Sequence, residues 1–182
     1  MFLELGASEI EDIIPHRKPM RLVGHVWIAE DGCSASGEVR LTGNEFFFSG
    51  HFPNLPITPG WVVAEAICQV GACLIGSRES VKDRLLPLLT GIREFSWGRP
   101  VLPGALLEME FAVAHDVATI IRKLKGEGRG RASVGGVTVA EGLIAFELVP
   151  RQLLERLLRQ RSAAIQLQTG VALEVVAEAT AT

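Results

Sequence analysis

Residues 61–76, WVVAEAICQVGACLIG, most constrain what this chain can fold into. They read as a helix whose only strongly polar side chains are Glu65 and Gln69. A helix that is apolar all round has no face to give to water, so the rest of the chain must enclose it. Pro59 suits the first helical turn, where its missing N–H removes no bond. Gly60 stands at the helix start, where free backbone N–H groups and the helix dipole favour developing negative charge.

The enclosing material reads as strands. Residues 22–30 and 38–42 form two, with Gly32 in the turn between them. In the second, Val39 and Leu41 alternate with Glu38 and Arg40. A charged connector, residues 77–84, follows the helix, and strands are expected at 91–97, 106–113, 118–127 and 131–149. LLEMEFAV (106–113) sets Leu107, Met109, Phe111 and Val113 against Leu106, Glu108, Glu110 and Ala112. The glycines at 126–130 and 135–136 are read as hairpin breaks. The expected architecture is α+β: one long helix with five or six mostly antiparallel strands. Residues 1–150 form a single domain in this reading, and 151–182 a C-terminal helical extension with a frayed end. In the extension, Leu153, Leu154, Leu157 and Leu158 recur at helical spacing among basic residues. That stripe is expected to dock on its own fold or on a neighbouring subunit.

Bulk composition excludes several classes. The chain has 182 residues, 48% hydrophobic and 21% charged, with net charge −3. That balance offers no basic face for nucleic acid. No apolar run reaches the roughly 18 residues of a membrane span, and the acidic N-terminus lacks a secretory pattern. Cys33, Cys68 and Cys73 form no CxxC pair and no zinc spacing. A cytoplasmic protein with free thiols and no metal is expected.

A carboxyl on an apolar helix is costly unless it is paired or neutral. Taken out of water, a carboxyl is held toward its proton-donating form. Gln69, one turn on at i+4, shares the face of Glu65 and can hold it in place. Taken alone, Glu65 also fits a wet stripe on a half-exposed helix. The loop ahead of it, SGHFPNLPITPG, adds His51, and Pro53, Pro56 and Pro59 stiffen the path between. Histidine is suited to proton transfer near neutral pH. Eliminating water from a 3-hydroxyacyl thioester needs a base for the α-proton, an acid for the departing hydroxyl, and a donor for the thioester oxygen. His51, Glu65 and the Gly60 N–H can supply these in that order.

GHFPNLPITPG followed by Glu65, Ala66 and Gln69 resembles the 3-hydroxyacyl-[acyl-carrier-protein] dehydratases of the FabZ type, with the FabA type behind them. The likeness extends to IPHRKPM (14–20) and RPVLPG (99–104) and covers roughly residues 10–149. The resemblance implies a hot-dog fold, an antiparallel sheet wrapped round the central helix. It implies a homodimer whose sites each take His51 from one subunit and Glu65 from the other; family members often assemble three such dimers into a hexamer. Through it His51 and Glu65 match the catalytic pair, Gly60 the thioester-binding amide, and Gln69 the residue that orients the acid. The implied partner is acyl carrier protein, bringing the acyl group on a phosphopantetheine arm; no metal or redox cofactor is implied. The FabA type carries Asp where this chain has Glu65, which favours dehydration without isomerisation.

The chain departs from the family at Gly24 and Ala105, where acids are common, at Trp61, and in having no tyrosine for a gate. Its C-terminal helix also exceeds the usual family length. These differences bear on the tunnel and the acyl chain it accepts. His16 is read as a loop histidine bonded to backbone, and His25 and His115 as structural or exposed. Cys68 and Cys73 are read as small apolar residues of the helix. Arg17, Lys18, Arg78, Lys82, Arg84 and Arg99 are read as scattered, solvated charges rather than a carrier-protein patch. Two other functions remain open at this level. One is a thioesterase whose carboxylate activates water; the other is a non-catalytic acyl-carrier-binding subunit.

Overall fold

The computed structural model describes the backbone of residues 3–169 and the side chains of residues 3–161. The expected frayed end, 174–182, lies outside the described residues. The elements run β1 (Leu3–Leu5), α1 (Ala7–Ile13), β2 (His25–Ile28), β3 (Ser34–Arg40), α2 (Gly60–Gly76), β4 (Leu85–Trp97), β5 (Leu106–Val113), α3 (Val117–Lys123), β6 (Lys125–Val134), β7 (Val137–Pro150) and α4 (Arg151–Thr169). The strands form one seven-stranded sheet in the order β1-β2-β3-β5-β6-β7-β4. Every pairing is antiparallel.

The sheet curls round α2, which packs against β2, β3, β4, β5, β6 and β7. Val62, Val63, Ala66, Ile67, Val70, Cys73, Leu74 and Ile75 are all buried in the core this makes. Facing them are Val26, Ala35, Leu107, Met109, Phe111, Ala132, Ile144 and Phe146, all inward-pointing strand residues. The alternation expected along 106–113 is realised: Leu107, Met109 and Phe111 are buried, while Glu108, Glu110 and Ala112 are exposed. On the remaining side, α1 leans on α2, with Ile10 buried and Ile13 over Gly76.

Several boundaries differ from expectation for physical reasons. Residues 117–123 are the helix α3, not part of a strand. Asp116 caps it, its Oδ1 accepting from the Thr119 N–H at 2.9 Å, and Arg122 and Lys123 complement the dipole in the last turn. Leu124 then turns the chain in the left-handed region, at φ 53°. The glycines at 126–130 do not break β6; the strand runs through them. They occupy the inward positions while Glu127, Arg129 and Arg131 alternate outward. The cause is close approach. A Cβ at Gly130 would lie 2.3 Å from Ile67 Cγ2 of α2. The turn at Gly135–Gly136 does hold the β6–β7 hairpin, with φ of 56° and 76°. Pro59 is the N-cap of α2 rather than a residue of its first turn. β1 and α1 add elements that the sequence reading left out. α4 begins directly at the end of β7, and Leu153, Leu157 and Leu158 on it are exposed.

Because α2 and β6 meet without room for a methyl group, Gly130→Val is expected to destabilise the fold by about 2–3 kcal/mol, the usual cost of overpacking. Chemical denaturation of the two proteins measures it, and an unchanged midpoint would contradict the close approach.

Candidate active site

Glu65 lies on the second turn of α2 and opens into a cavity of about 160 Å³. Its side chain keeps 26% exposure. The surrounding wall is mostly apolar, with Ala72, Ile75, Leu88, Phe111, Ile144 and Phe146 prominent. A carboxyl in such a wall needs partners, and Gln69 is one: its Nε2 donates to Glu65 Oε1 at 2.9 Å. Gln69 is only 1% exposed, yet every polar atom of its side chain is engaged. Nε2 also donates to the Met20 carbonyl at 2.8 Å, and Oε1 accepts the Leu22 N–H at 2.8 Å. One amide thus orients the acid and ties the segment before β2 to the central helix.

That tie brings His16 to the site. Its Nε2 lies 3.3 Å from Glu65 Oε1, and its ring lines the cavity. The expectation of a loop histidine bonded to backbone is therefore corrected: its neighbour is the carboxyl. No local pattern around His16 announces this, because the contact depends on Gln69 drawing residues 20–22 onto α2. His25 is exposed, 4.0 Å from Glu38, and His115 is exposed.

His51 sits in the loop ahead of α2. Its Nδ1 is 3.1 Å from the Ile57 carbonyl. A carbonyl oxygen can only accept, so this contact puts the ring proton on Nδ1 and leaves the Nε2 lone pair free as a base. The loop is held by its own bonds, Ile57 N–H to His51 O at 3.2 Å and Thr58 N–H to Val101 O at 2.8 Å. The Phe52 ring stacks on the imidazole at 4.2 Å. His51 is not among the residues lining the Glu65 cavity. Within one chain, Glu65 is thus grouped with Gln69 and His16, while His51 lies apart from them in the loop that leads to Gly60.

Gly60 opens α2, so its N–H has no intrahelical acceptor. Trp97, at the end of β4, donates its indole N–H to the Gly60 carbonyl at 3.1 Å. A Cβ on Gly60 would lie 2.6 Å from that indole nitrogen, so a larger residue here would displace the Trp97 ring from its bond. The sequence reading did not single out Trp97. Cys68 also lines the cavity; burial first, then the Glu65 charge, push its thiol up to about 12. Cys73 is likewise pushed up to about 12 by burial. Among the described residues, no group of three or more His, Cys, Asp or Glu side chains converges as metal ligands would. Two of the scattered basic residues are spoken for: Arg78 donates to the Gly32 carbonyl, and Arg17 to those of Ile14 and His16.

Comparison with known proteins bears on the family and the fold. A FabA-like domain model matches residues 14–142. A 3-hydroxyacyl-[acyl-carrier-protein] dehydratase FabZ from Herpetosiphon aurantiacus is 38% identical over 145 residues, covering 80% of this chain and 99% of the relative. A protein of the same name from Clostridium botulinum is 39% identical over 142 residues, covering 78% and 94%. Among solved structures, the dehydratase heterocomplex ApeI:P from Xenorhabdus doucetiae superposes with a TM-score of 0.66 at 17% identity, covering 82% of this chain and 96% of that one. A hot-dog-like protein from Thermanaerovibrio acidaminovorans gives 0.55 at 14% identity, covering 70% and 89%. The fold is the hot-dog fold, and the chain belongs to the FabA-like domain family, alongside relatives that are FabZ-type dehydratases.

Proposed function

We propose that this protein is a hydro-lyase that reversibly dehydrates 3-hydroxyacyl thioesters on acyl carrier protein to trans-2-enoyl thioesters, in fatty-acid or related acyl-chain synthesis. The observation that carries the reading is the Glu65 carboxyl, held by Gln69 in an otherwise largely apolar cavity. The names of the FabZ relatives supply the substrate class. The phosphopantetheine arm of the carrier would present the thioester; no metal or redox group enters the scheme. Glu65, rather than an aspartate, favours dehydration without isomerisation. No helix among the described residues is long and apolar enough to cross a membrane; the cytoplasmic location in this proposal rests on the likeness to the FabZ relatives.

The site is completed by a second copy. β4 is the last strand of the sheet, with a free backbone edge, and Leu88, Leu89, Ile92 and Trp97 along it are exposed. A long apolar edge of this kind calls for a partner. Pairing two such strands about a two-fold axis is necessarily antiparallel. The Trp97 end of one then lies beside the Leu85 end of the other. Trp97 adjoins Gly60 and the His51 loop, whereas Pro87, Leu88 and Leu89 border the Glu65 cavity. Two-fold pairing therefore sets the His51 half of one subunit against the Glu65 half of its partner. Three such dimers in a hexamer would leave this pairing intact.

In the joined site, His51 Nε2 takes the α-proton while the Gly60 N–H donates to the thioester oxygen. That donor steadies the enolate character that develops. Glu65 gives its proton to the departing hydroxyl. The C–O bond breaks, the C=C bond forms, and water leaves. His51 ends protonated and Glu65 ionised, and transfer of one proton between them resets the enzyme.

His51→Ala and Glu65→Gln are each expected to lower turnover of 3-hydroxyacyl carrier-protein substrates by about 10²–10⁴-fold. Refolding the two variants together at equal amounts should restore about a quarter of wild-type activity, because half the dimers are then mixed and each mixed dimer has one intact site. No recovery would overturn the shared site, and full activity in both single variants would overturn the residue roles. Cys68→Ala should retain wild-type turnover, since so buried a thiol is a poor nucleophile. A Cys68-linked acyl intermediate seen by mass spectrometry would contradict this.

A further inference from the structure

We propose that His16 is a positioning residue for Glu65: with the Gln69 amide it donates to Oε1, so that the transferable proton is carried on Oε2. This rests on the dehydratase reading of Glu65 and adds the choice of oxygen to it.

Hydrogen-bond bookkeeping assigns each partner. Gln69 Oε1 accepts from the Leu22 N–H, so the other terminal atom must be the amide nitrogen, and that atom faces Glu65 Oε1. His16 Nδ1 is buried and has no hydrogen-bond partner among the described residues. A proton there would be a buried donor without an acceptor, a costly arrangement. The neutral ring therefore carries its proton on Nε2, the atom 3.3 Å from Glu65 Oε1. This contact is looser than the Gln69 bond, as catalytic contacts commonly are before substrate arrives. Gln69 Nε2 donates to Oε1, and His16 Nε2 approaches the same oxygen at 3.3 Å, within reach of a second donation. A carboxylic acid with two donors on Oε1 must carry its own O–H on Oε2.

The scaffold holds this geometry from both sides. Upstream, Ile14 is buried in the core, and Arg17 Nη1 donates to the carbonyls of Ile14 and His16, each at 3.0 Å. Downstream, Gln69 clips Met20 and Leu22. Among the described residues, no other strong charge faces the pair within the cavity. β4, β5 and β7 contribute only Pro87, Leu88, Leu89, Phe111, Ile144 and Phe146 to its lining, and the remaining titratable group, Cys68, is a neutral thiol.

The consequence for the reaction is directional. Oε2–H donates to the leaving hydroxyl, whose oxygen departs as water with the C–O bond pair. The charge left on Glu65 is shared with Oε1, where Gln69 already donates and His16 Nε2 closes in to donate as the charge develops. On the return step the proton is restored to Oε2.

Two measurements test this on the full chain. The first is ¹⁵N NMR of histidine-labelled wild-type protein near neutral pH, with the signals of His16 assigned by their loss in His16→Gln. The expected pattern is a neutral ring protonated on Nε2. A ring protonated on Nδ1, alone or together with Nε2, overturns the proposal. The second is steady-state kinetics. His16→Phe should lower kcat roughly ten- to a hundred-fold, the effect of losing a donor to a charged group, with KM changed less than about two-fold. His16→Gln, which restores an N–H donor, should recover most of the loss. Equal losses in both variants, or a loss confined to KM, would overturn the positioning role. Should the Phe variant fail to fold, the NMR result and the Gln variant still decide. If wild-type protein dehydrates no 3-hydroxyacyl thioester, the parent reading falls while the tautomer of His16 is still read independently.

Discussion

The burial of α2 on all sides is the constraint from which the rest of the structure follows. A helix of this composition cannot form one face of a two-layer domain; it must be surrounded. The sheet does this by curling, and strands from both halves of the chain reach the helix. The packed interior leaves no room for side chains on the inward face of β6: a Cβ would meet Phe146 and Ile120 at Gly126, Phe111 at Gly128 and Ile67 of α2 at Gly130. The same enclosure makes any polar group on α2 conspicuous. Gln69 is tolerated because all its side-chain polar atoms are bonded, and Glu65 because it opens onto a cavity.

How much of this was legible in the sequence depends on whether the cause was local. The α2 helix, the alternation of residues 106–113 and the Gly135–Gly136 turn all rest on local periodicity or turn chemistry, and they stand as read. The segment 118–127 was misread because Ile120 and Ile121 suggest a strand. The capping pair Asp116 and Thr119 outweighs them, and that signal was present in the chain. At 126–130 the alternation of Gly with Glu and Arg is itself a strand pattern, with absence of a side chain in place of an apolar one. It is recognisable only once a helix is known to press on that face.

The site divides in the same way. Glu65 and Gln69 were legible because i and i+4 share a helix face. His51 and Gly60 were legible as a loop and a cap beside them. His16 was not, since its approach to Glu65 depends on a long-range clip between Gln69 and residues 20–22. Trp97 was missed for a related reason, as only the fold brings the end of β4 to the start of α2. Local chemistry pointed to the candidate acid and base, and tertiary contacts supplied the residues around them.

The Trp97–Gly60 contact has an optical consequence. The chain contains three tryptophans and no tyrosine, so its ultraviolet emission is dominated by indole. Two of the three indoles, Trp61 and Trp97, flank the start of α2 and are 50% and 56% exposed. Anything that covers this corner, whether a thioester arm or a neighbouring strand, takes those rings out of water. Two-thirds of the emitters are therefore stationed at the helix start, and the protein carries its own fluorescent gauge of occupancy at that point.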